Sequence, residues 1–360
     1  MMLPRVFHLI TSLKVGGTER FVQSVINGLK DKYEFSVGYI KERGLVADEL
    51  ENAGIRIIHL PGLNAIYKHL KENKYEVMHT HLYRANIYGR IAGKLVGVPI
   101  IISSQRAIDA WKKWYHVFLD CFTSQWCKRV VANSEATKLL LSSRERISDK
   151  KVVVVHNGID LNYYNNKNGD TVKTGITPGN KVVLCVLRLH KEKGADLLPK
   201  IFKGITAVHP DTKFVVVGDG PEVVKIKAEI KLLGIGENVV FAGEQKDVRP
   251  YYSIADILLL PSREESFPQV VLEAFAYSVP VIASDVGGVK EIVKDGVNGY
   301  TVEPGNITVL VEKTVQLLTD DKVREKMAGN ALGDVKQFDI KLMWQKIDNI
   351  YSELINKVEL

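Results

Sequence analysis

Short runs of apolar residues recur along this 360-residue chain, and longer amphipathic stretches separate them. The run VVVV at 152–155 has no polar alternation, so both faces of that strand are predicted to be buried. Such strands, alternating with helices, favour a parallel sheet covered by helices on both sides. The predicted strands of the first half are Arg5–Ile10, Glu34–Ile40, Ile55–Leu60, Val77–Thr80, Pro99–Ser103, Val130–Ala132 and Val152–Val155.

A polar, turn-rich segment at 162–180 interrupts this pattern and predicts a linker. The alternation then resumes, which predicts an α/β chain of two Rossmann-like, doubly wound domains, 1–168 and 169–339, facing each other across a cleft. Ligands are expected in the loops that follow the strands. The predicted strands of the second half are Val182–Leu187, Lys213–Val217, Val239–Phe241, Ile257–Leu260, Val281–Ala283 and Tyr300–Val302.

Composition excludes several classes of protein. With 46% hydrophobic and 25% charged residues, the chain resembles ordinary globular proteins rather than disordered, collagen-like or coiled-coil ones. Three cysteines without a CxxC pair predict neither a disulfide framework nor a zinc site, and they favour a reducing compartment. The amino-terminal apolar run is too short for a signal peptide, and no stretch reaches the roughly 18 apolar residues of a membrane span. A cytoplasmic protein is expected.

The net charge of +7 is unevenly distributed. Up to Asp160 there are 24 basic and 15 acidic residues, a net charge of +9, and the remainder carries −2. This difference favours a separate partner for the first half. Nucleic acid is not expected, because no matching fold or long basic stripe is present.

The most informative segment runs from Leu258 to Val293. A buried strand is predicted to end at Leu260, and the polar loop Pro261–Ser266 follows it. Pro268 suits a first helical turn, with the helix continuing to Tyr277. The free N–H groups of such a helix start would bind an anion.

Two acidic residues, Glu265 and Glu273, lie beside this predicted anion site. Because carboxylates accept hydrogen bonds from diols, ribose and sugar hydroxyls are their natural partners. The alternative is a pair of solvated glutamates at a helix end.

This segment, with SREESFP and VLEAFA followed by PVIASDVGGVKEIV and DGVNGY, resembles the retaining glycosyltransferases of family 4, which have the GT-B fold. The resemblance covers nearly the whole chain. It implies that the final helix, within 340–360, returns to the first domain. Five further segments, all earlier in the chain, occur in the family's order: GGTER at 16–20, NSEA at 133–136, VHNGID at 155–160, VLRLHKEKG at 186–194 and VVGDGPE at 216–222.

The resemblance assigns roles to individual residues. Glu273 would hold the donor ribose. Arg188, Lys193 and Glu265 would be catalytic, with the two cations on the diphosphate and Glu265 at the donor sugar. Cations at that place would stabilise the charge that develops on the leaving group. The remaining donor-binding candidates are Gly16, Gly17, Gly218, Gly243, Ser266, Phe267 and Pro268. For Gly16, Gly17 and Gly218, an ordinary turn remains the alternative.

Other nucleotide-binding classes lack their signatures. GxGxxG does not follow the first strand, which disfavours a nicotinamide dehydrogenase, and no P-loop GxxxxGK[ST] occurs. The Asp-x-Asp motif of metal-dependent glycosyltransferases is also missing. We therefore expect no metal and no cofactor, since the nucleotide-sugar is a substrate.

The acceptor-side candidates are His79, His81, Arg84 and Arg106. The two histidines could bind hydroxyls or move protons, although a structural role is the alternative. They share a strand face, but no third metal ligand is visible in the sequence. Some family members carry a histidine near the position of Ser104, and this chain does not. The family comparison then implies no dedicated base, so the leaving phosphate itself would assist deprotonation.

An aromatic and basic segment at 105–129 suggests a membrane interface. The contact candidates are Trp111, Lys112, Lys113 and Trp114. The aromatic residues fit one stripe of a helix, so a core-facing helix with solvated lysines is the alternative.

These observations predict a retaining, metal-independent hexosyltransferase. It would move a sugar from a nucleotide-sugar such as a UDP-sugar to a glycan or lipid-linked acceptor. Its role would be cell-surface polysaccharide biosynthesis, with peripheral contact at the cytosolic face of a membrane. The alternatives are a sugar-nucleotide epimerase of the same architecture and a non-catalytic glycan-binding subunit.

Overall fold

The structure is a computed structural model that describes residues 3–165, 176 and 179–358. The chain divides into two compact units, Met1–Gly158 with Ile340–Leu360, and Ile159–Asp339. The second unit thus begins before the predicted boundary at 168/169, which lies outside the described residues. The reason is local, since the Ile159 N–H donates to the Phe338 carbonyl oxygen at 2.9 Å.

The first unit is built on a parallel sheet that has seven strands within the described part of the chain, in the order β3-β2-β1-β4-β5-β6-β7. The strands are β1 (Arg5–Ile10), β2 (Glu34–Tyr39), β3 (Arg56–His59), β4 (Val77–His81), β5 (Ile100–Gln105), β6 (Arg129–Ala132) and β7 (Val152–Val154). The helices are α1 (Gly17–Leu29), α2 (Leu45–Asn52), α3 (Leu63–Glu72), α4 (Tyr83–Val96), α5 (Trp114–Ser124) and α6 (Glu135–Ser143).

The second unit has a parallel sheet with six strands among its described residues, in the order β10-β9-β8-β11-β12-β13. The strands are β8 (Val182–Val186), β9 (Lys213–Val217), β10 (Val239–Gly243), β11 (Ile257–Leu260), β12 (Val281–Ser284) and β13 (Gly299–Val302). The helices are α7 (Leu161–Asn165), α8 (Leu198–Thr206), α9 (Val223–Leu232), α10 (Arg249–Tyr252), α11 (Gln269–Ala276), α12 (Ile307–Thr319) and α13 (Asp321–Asp334).

The last helix, α14 (Ile340–Asn356), belongs to the first unit. Its buried residues Met343, Ile347 and Tyr351 join the hydrophobic cluster that contains Val25 and Ile26 of α1. An apolar stripe at this spacing is what an amphipathic helix needs to cover one face of a sheet. Residues 359–360 of the predicted helix lie outside the described residues.

The predicted fold class is confirmed, because each predicted apolar run forms a strand and both sheets are parallel. In each sheet the strand order reverses once, between β1 and β4 and between β8 and β11. Such a reversal leaves a crevice at the carboxyl ends of the strands, where open parallel sheets bind ligands. Among the described residues, no helix is both long enough and apolar enough to cross a membrane.

Candidate active site

In the second unit, the predicted catalytic residues lie on two loops that flank the reversal of strand order. Arg188 and Lys193 follow β8, and Glu265 follows β11, which is the neighbour of β8 in the sheet. Parallel pairing of these strands puts both loops at the same edge. The sheet topology therefore brings together residues that are distant in sequence.

Backbone contacts fix these two loops against each other. The N–H groups of Arg263 and Glu264 donate to the Glu192 carbonyl oxygen at 2.8 and 3.2 Å. Gly194 has a φ of +67°, and a Cβ there would overlap the carbonyl oxygen of Pro261. Only glycine fits both this conformation and this close approach. The spacing between the loops is thus set by the backbone.

Lys193 and Glu265 form an ion pair, with Lys193 Nζ 2.9 Å from Glu265 Oε1. Lys193 also donates to the carbonyl oxygen of Glu264 at 3.0 Å, and the Ser262 hydroxyl donates to Glu265 Oε1 at 2.8 Å. An ammonium group has three donors, so Lys193 keeps one beyond these contacts. The predicted cation and the predicted sugar-binding carboxylate therefore meet directly.

Arg188 lies on the surface of the second unit, with 73% of its side chain exposed. Its Nη2 donates to Glu192 Oε1 at 2.7 Å. An exposed ion pair of this kind contributes little to stability, so its partner can be exchanged for an incoming anion at small cost. Arg188 is accordingly available to a phosphate from solvent.

Glu273 lies on α11 and accepts two hydroxyl hydrogen bonds. Tyr164 donates to Oε1 at 3.0 Å and Tyr252 donates to Oε2 at 2.8 Å. Burial raises the pKa of the Glu273 carboxyl, and these two hydroxyls partly offset the rise. Because a carboxylate offers about four acceptor positions, Glu273 can still accept from a diol.

The start of α11 differs in detail from the prediction. Pro268 is the N-cap rather than a residue of the first turn, and its own side chain makes no capping hydrogen bond. Phe267 is buried against the ring of Phe338, with ring centroids 5.6 Å apart. Ser266 is half-buried. Phe267 therefore anchors the loop, and the backbone beside it is the part that a ligand would meet.

The glycines after β9 and β10 have different surroundings. Gly218 has a φ of +126°, and a Cβ there would overlap the carbonyl oxygen of Leu187. This packing alone requires a glycine at position 218, without any role in ligand binding. Gly243 also has a positive φ, but nothing lies within 4 Å of the position a Cβ would take. Its carbonyl oxygen accepts from the Gly218 N–H at 2.7 Å.

In the first unit, Gly16 and Gly17 form the amino terminus of α1. Gly16 is the N-cap and has an extended backbone, while Gly17 opens the helix. A Cβ on Gly16 would overlap the carboxylate of Glu19, whereas one on Gly17 would meet nothing within 4 Å. Burial raises the pKa of Glu19, whose carboxylate lies at this helix start.

His79 and His81 are fully buried and face His8 of β1. His8 Nδ1 and His81 Nε2 lie 2.9 Å apart, and one donates to the other. His79 bonds the Tyr351 hydroxyl at 2.6 Å and the Ser104 hydroxyl at 2.8 Å. Neither predicted histidine reaches solvent in this structure, so the structural alternative describes both better, and their contact with an acceptor stays a prediction.

The histidine cluster also supplies the third ligand that the sequence did not reveal. Within the described residues, His8, His79 and His81 place their ligand atoms within 4.8 Å of one another. Burial lowers the pKa of His8 to about 3 and lowers those of His79 and His81 well below the usual value. The rings are therefore neutral, the form that binds metals. Each ring also makes a hydrogen bond within the protein, as a histidine without a metal does. The absence of a metal from this cluster stays a prediction.

The two predicted arginines of the first unit differ in exposure. Arg84 is exposed at the start of α4. Arg106 is buried, with its guanidinium 3.5 Å from the ring centroid of Phe21, and it donates to the side-chain oxygen of Asn157. Burial lowers the pKa of Arg106 to about 9. Only Arg84 is open to solvent.

In the aromatic segment, aromatic side chains are exposed and polar side chains are buried. Trp111 and Trp114 are exposed, at 56% and 80%, and Lys113 is exposed as well. The polar residues Asp120, Thr123 and Ser124 of α5 are buried instead. A core-facing aromatic stripe, the alternative considered for this segment, is therefore wrong.

Lys112 does not fit the predicted membrane contact. Its ammonium is fully buried, 2.6 Å from Asp120 and 2.7 Å from Glu145, so it cannot contact a membrane. Burial alone would lower the pKa of Lys112, but these carboxylates raise it. Arg90 pairs with the other oxygen of Asp120 and completes a buried quartet of charges.

Several residues around these sites carried no sequence signal. Tyr164 and Tyr252 hold Glu273, and Ser262 holds Glu265. Their partners are far away along the chain or, for Ser262, separated by an irregular loop. Knowledge of the strand order would have been needed to find them.

Two units, each built on a parallel sheet whose strand order reverses once, are the arrangement of the GT-B fold. Residues 15–163 match the family model Glycosyltransferase Family 4, and residues 166–333 match Glycosyl transferases group 1. Together the two matches span most of the chain. The chain therefore belongs to the family 4 glycosyltransferases with the GT-B fold, and the predicted family is confirmed.

Curated relatives align over nearly full length. One is the UDP-Gal:alpha-D-GlcNAc-diphosphoundecaprenol alpha-1,3-galactosyltransferase of Escherichia coli, 27% identical, with 89% of this chain and 90% of the relative covered. Another is the capsular polysaccharide biosynthesis glycosyltransferase CapM of Staphylococcus aureus, 24% identical over 99% of this chain and 98% of the relative.

Among solved structures, the Anabaena HepE protein in complex with UDP has a TM-score of 0.88. It is 22% identical and the match covers 97% of this chain and 100% of that one. WaaG, a glycosyltransferase involved in lipopolysaccharide biosynthesis, matches with a TM-score of 0.74 at 17% identity, over 96% of this chain and 99% of WaaG. These likenesses confirm the fold.

Proposed function

We propose that this glycosyltransferase transfers a hexosyl group from a UDP-sugar to a glycan or lipid-linked acceptor, with retention of configuration and without a metal ion. One observation carries the proposal. The Lys193–Glu265 ion pair and the exposed Arg188 lie on the two loops that flank the strand reversal of the second sheet. That arrangement offers cations to a diphosphate and a carboxylate to sugar hydroxyls within one pair of loops.

The names of similar proteins support the donor. The Escherichia coli relative is named for UDP-Gal, and HepE has been crystallised with UDP and with UDP-glucose. Glu273 fits this choice, because two tyrosine hydroxyls hold its carboxylate in place and leave acceptor capacity for ribose hydroxyls.

The same comparisons support the acceptor. The Escherichia coli relative acts on a diphosphoundecaprenol-linked sugar and CapM takes part in capsule synthesis. We therefore propose that this chain acts in bacterial surface polysaccharide or glycolipid synthesis. A location in the cytoplasm with peripheral contact at the membrane is part of the same proposal and rests on the sequence alone.

The proposed reaction needs no dedicated protein base. The bond between the anomeric carbon and the leaving phosphate oxygen breaks, and the acceptor oxygen bonds that carbon on the same face. The acceptor proton passes to the departing phosphate oxygen. Arg188 and Lys193 would stabilise the negative charge that develops on the diphosphate. The buried His79 and His81 take no part in this scheme.

A donor panel tests the proposal. The full chain is mixed with a series of nucleotide-sugars, the one that raises its melting temperature most is chosen, and products are analysed with and without acceptors. Transfer with retained anomeric configuration in excess chelator is expected. An isomerised UDP-sugar formed without acceptor would instead identify an epimerase. Binding without turnover on any acceptor would identify a glycan-binding subunit.

A further inference from the structure

Two tyrosine hydroxyls divide the carboxylate of Glu273 between them. Tyr164 of α7 donates to Oε1 and Tyr252 of α10 donates to Oε2, at 3.0 and 2.8 Å. Tyr252 is fully buried, whereas Tyr164 and Glu273 are half-buried. Each oxygen of this carboxylate therefore has a protein donor of its own, and the two donors come from different helices.

The charged groups on this side of α11 bond one another. Helix α7 carries no charged residue. Arg249 of α10 bonds both carboxylate oxygens of Asp247, at 2.9 and 2.7 Å, and its guanidinium lies 4.0 Å from the ring centroid of Tyr163. The charge of Arg249 is thus balanced by Asp247 rather than by Glu273.

The other elements that contact α11 meet it with apolar side chains. These elements are α13, β12 and the turn at 335–338, and their residues in the shared hydrophobic cluster include Ala283, Ala331, Val335 and Phe338. The least exposed charged residues of α13 bond elsewhere, Arg324 with Asp321 and Asp334 with Lys294. Glu273 therefore depends on its two hydroxyl donors to balance a negative charge.

A carboxylate that is withdrawn from water and has no cation beside it tends to take up a proton. Burial raises the pKa of Glu273, and the hydrogen bonds from Tyr252 and Tyr164 lower it. Burial and the neighbouring carboxylate raise the pKa of both tyrosines, so their hydroxyls stay protonated at neutral pH. Both hydroxyls can therefore act as donors, and as donors they favour the ionised form of Glu273.

We propose that Tyr164 and Tyr252 are positioning residues that keep Glu273 ionised and oriented to accept hydrogen bonds from the ribose hydroxyls of a nucleotide. The proposal rests on the proposed function, which assigns the ribose to Glu273. A protonated carboxyl would present an O–H donor and would lose the charge that strengthens hydrogen bonds from a diol. The two tyrosines therefore set the lowest pH at which the nucleotide binds well.

The test is the pH dependence of UDP binding to the full chain with both Tyr164→Phe and Tyr252→Phe. Titration calorimetry from pH 6 to pH 9 gives the affinity of the double variant relative to the parent at each pH, so the titration of the phosphate of UDP cancels. At pH 6 we expect the double variant to bind UDP roughly 10-fold or more weakly than the parent. The difference should shrink to about threefold at pH 9, where Glu273 is ionised in both proteins.

Two controls separate ionisation from packing. Tyr277→Phe removes a hydroxyl from the same group of rings, 6.2 and 6.0 Å by centroid from Tyr164 and Tyr252, and should keep the affinity of the parent at every pH. Glu273→Gln carries a side chain that is neutral at every pH, so it should bind UDP weakly throughout. Adding the two phenylalanines to Glu273→Gln should introduce no pH dependence.

Unfolding without UDP provides a second, independent measurement. The double variant leaves an ionised Glu273 without donors in the folded protein, whereas water solvates it in the unfolded chain. A folded pKa that lies further above the unfolded one means that stability is lost as the pH rises. The melting temperature of the double variant should therefore fall further below that of the parent between pH 5 and pH 8, and Glu273→Gln should remove this trend. Tyr164→Phe alone should shift both measurements in the same direction by less.

The outcomes distinguish this proposal from the proposed function. A loss of UDP affinity that is equal at every pH would show that the two tyrosines only shape the site, and it would overturn the proposal. Parent-like affinity of the double variant at pH 6 would overturn it as well. If the parent binds no UDP while the unfolding measurements follow the expected trend, the proposed function fails and the effect of the tyrosines on Glu273 stands.

Discussion

The strands beside the two reversals differ in the polar side chains that they bury among their apolar ones. In the first unit, β1, β4 and β5 bury His8, His79 and Ser104. In the second unit, β8 and β11 bury Leu184 and Leu258 at the centre of an apolar cluster. Both units are parallel sheets covered by helices, so the architecture does not impose this difference.

The difference shows where polar groups remain usable. In the second unit, Arg188, Lys193 and Glu265 lie in loops beyond the strand ends, where a ligand can reach them. In the first unit, the histidines are part of a strand and bond other buried groups. A polar residue inside a strand is thus more often committed to the fold than one that follows it.

The largest expected effect is in the first unit. Asp120→Ala removes the carboxylate that faces Lys112 and Arg90, which leaves two buried cations short of a partner. We expect the free energy of unfolding to fall by about 3–5 kcal/mol. Asp196→Ala, which breaks the surface pair with Arg263 in the second unit, is the matched control and should cost less than about 1 kcal/mol. Calorimetry of both variants measures this contrast. Equal losses of unfolding free energy in the two variants would contradict the difference between the buried and the surface pair.

The next effect belongs to the second unit. Glu273→Ala should weaken UDP binding by roughly 10- to 150-fold, because a charged hydrogen bond contributes about 1.5–3 kcal/mol. Titration calorimetry measures the affinity. Tyr164→Phe is the control, since it removes one hydroxyl and keeps the carboxylate, so a smaller loss is expected. Unchanged affinity in Glu273→Ala would disprove the ribose assignment.

A pH effect should distinguish the units further. The folded protein keeps His8 neutral with a pKa of about 3, whereas the unfolded chain protonates near 6.5. The contribution of neutral His8 to the free energy of unfolding is therefore fully present above pH 6.5, and it is lost as the pH drops towards 3. The slope is up to about 1.4 kcal/mol per pH unit.

The variant His8→Asn should flatten that slope, which unfolding at several pH values would measure. Glu145 acts in the opposite direction, because burial and Asp120 raise its pKa to about 7. It is present in both proteins, so it cancels from the difference. An unaltered slope in the variant would show that His8 does not contribute to the acid response.

The smallest effect tests the Lys193–Glu265 pair. Glu265→Gln removes the negative charge beside Lys193, so UDP should bind a few-fold more tightly while turnover falls. Lys193→Ala, with the opposite change of charge, should weaken UDP binding. The affinity for UDP and the turnover are measured separately for both variants. Loss of both in Glu265→Gln would contradict the prediction and indicate that the loop has collapsed.

The sequence predicted the strands well because both sheets are buried on two faces and their strands are continuously apolar. It placed Arg188, Lys193 and Glu265 in loops because those loops follow such strands. It could not show that Lys112 pairs with Glu145, or that Tyr164 and Tyr252 reach Glu273, because those contacts depend on the tertiary packing. The aromatic stripe of α5 had the spacing of a core helix, and buried ion pairs reversed its orientation.

The discontinuous first unit has a consequence for biosynthesis. The core of the first unit needs Tyr351, whose hydroxyl bonds His79 across 272 positions of the chain. The ends of the second unit, Ile159 and Asp339, pair directly in a short parallel bridge. On the ribosome, the second unit can therefore close before the first receives its last helix. The order in which the units mature is expected to be the reverse of the order in which they are first translated.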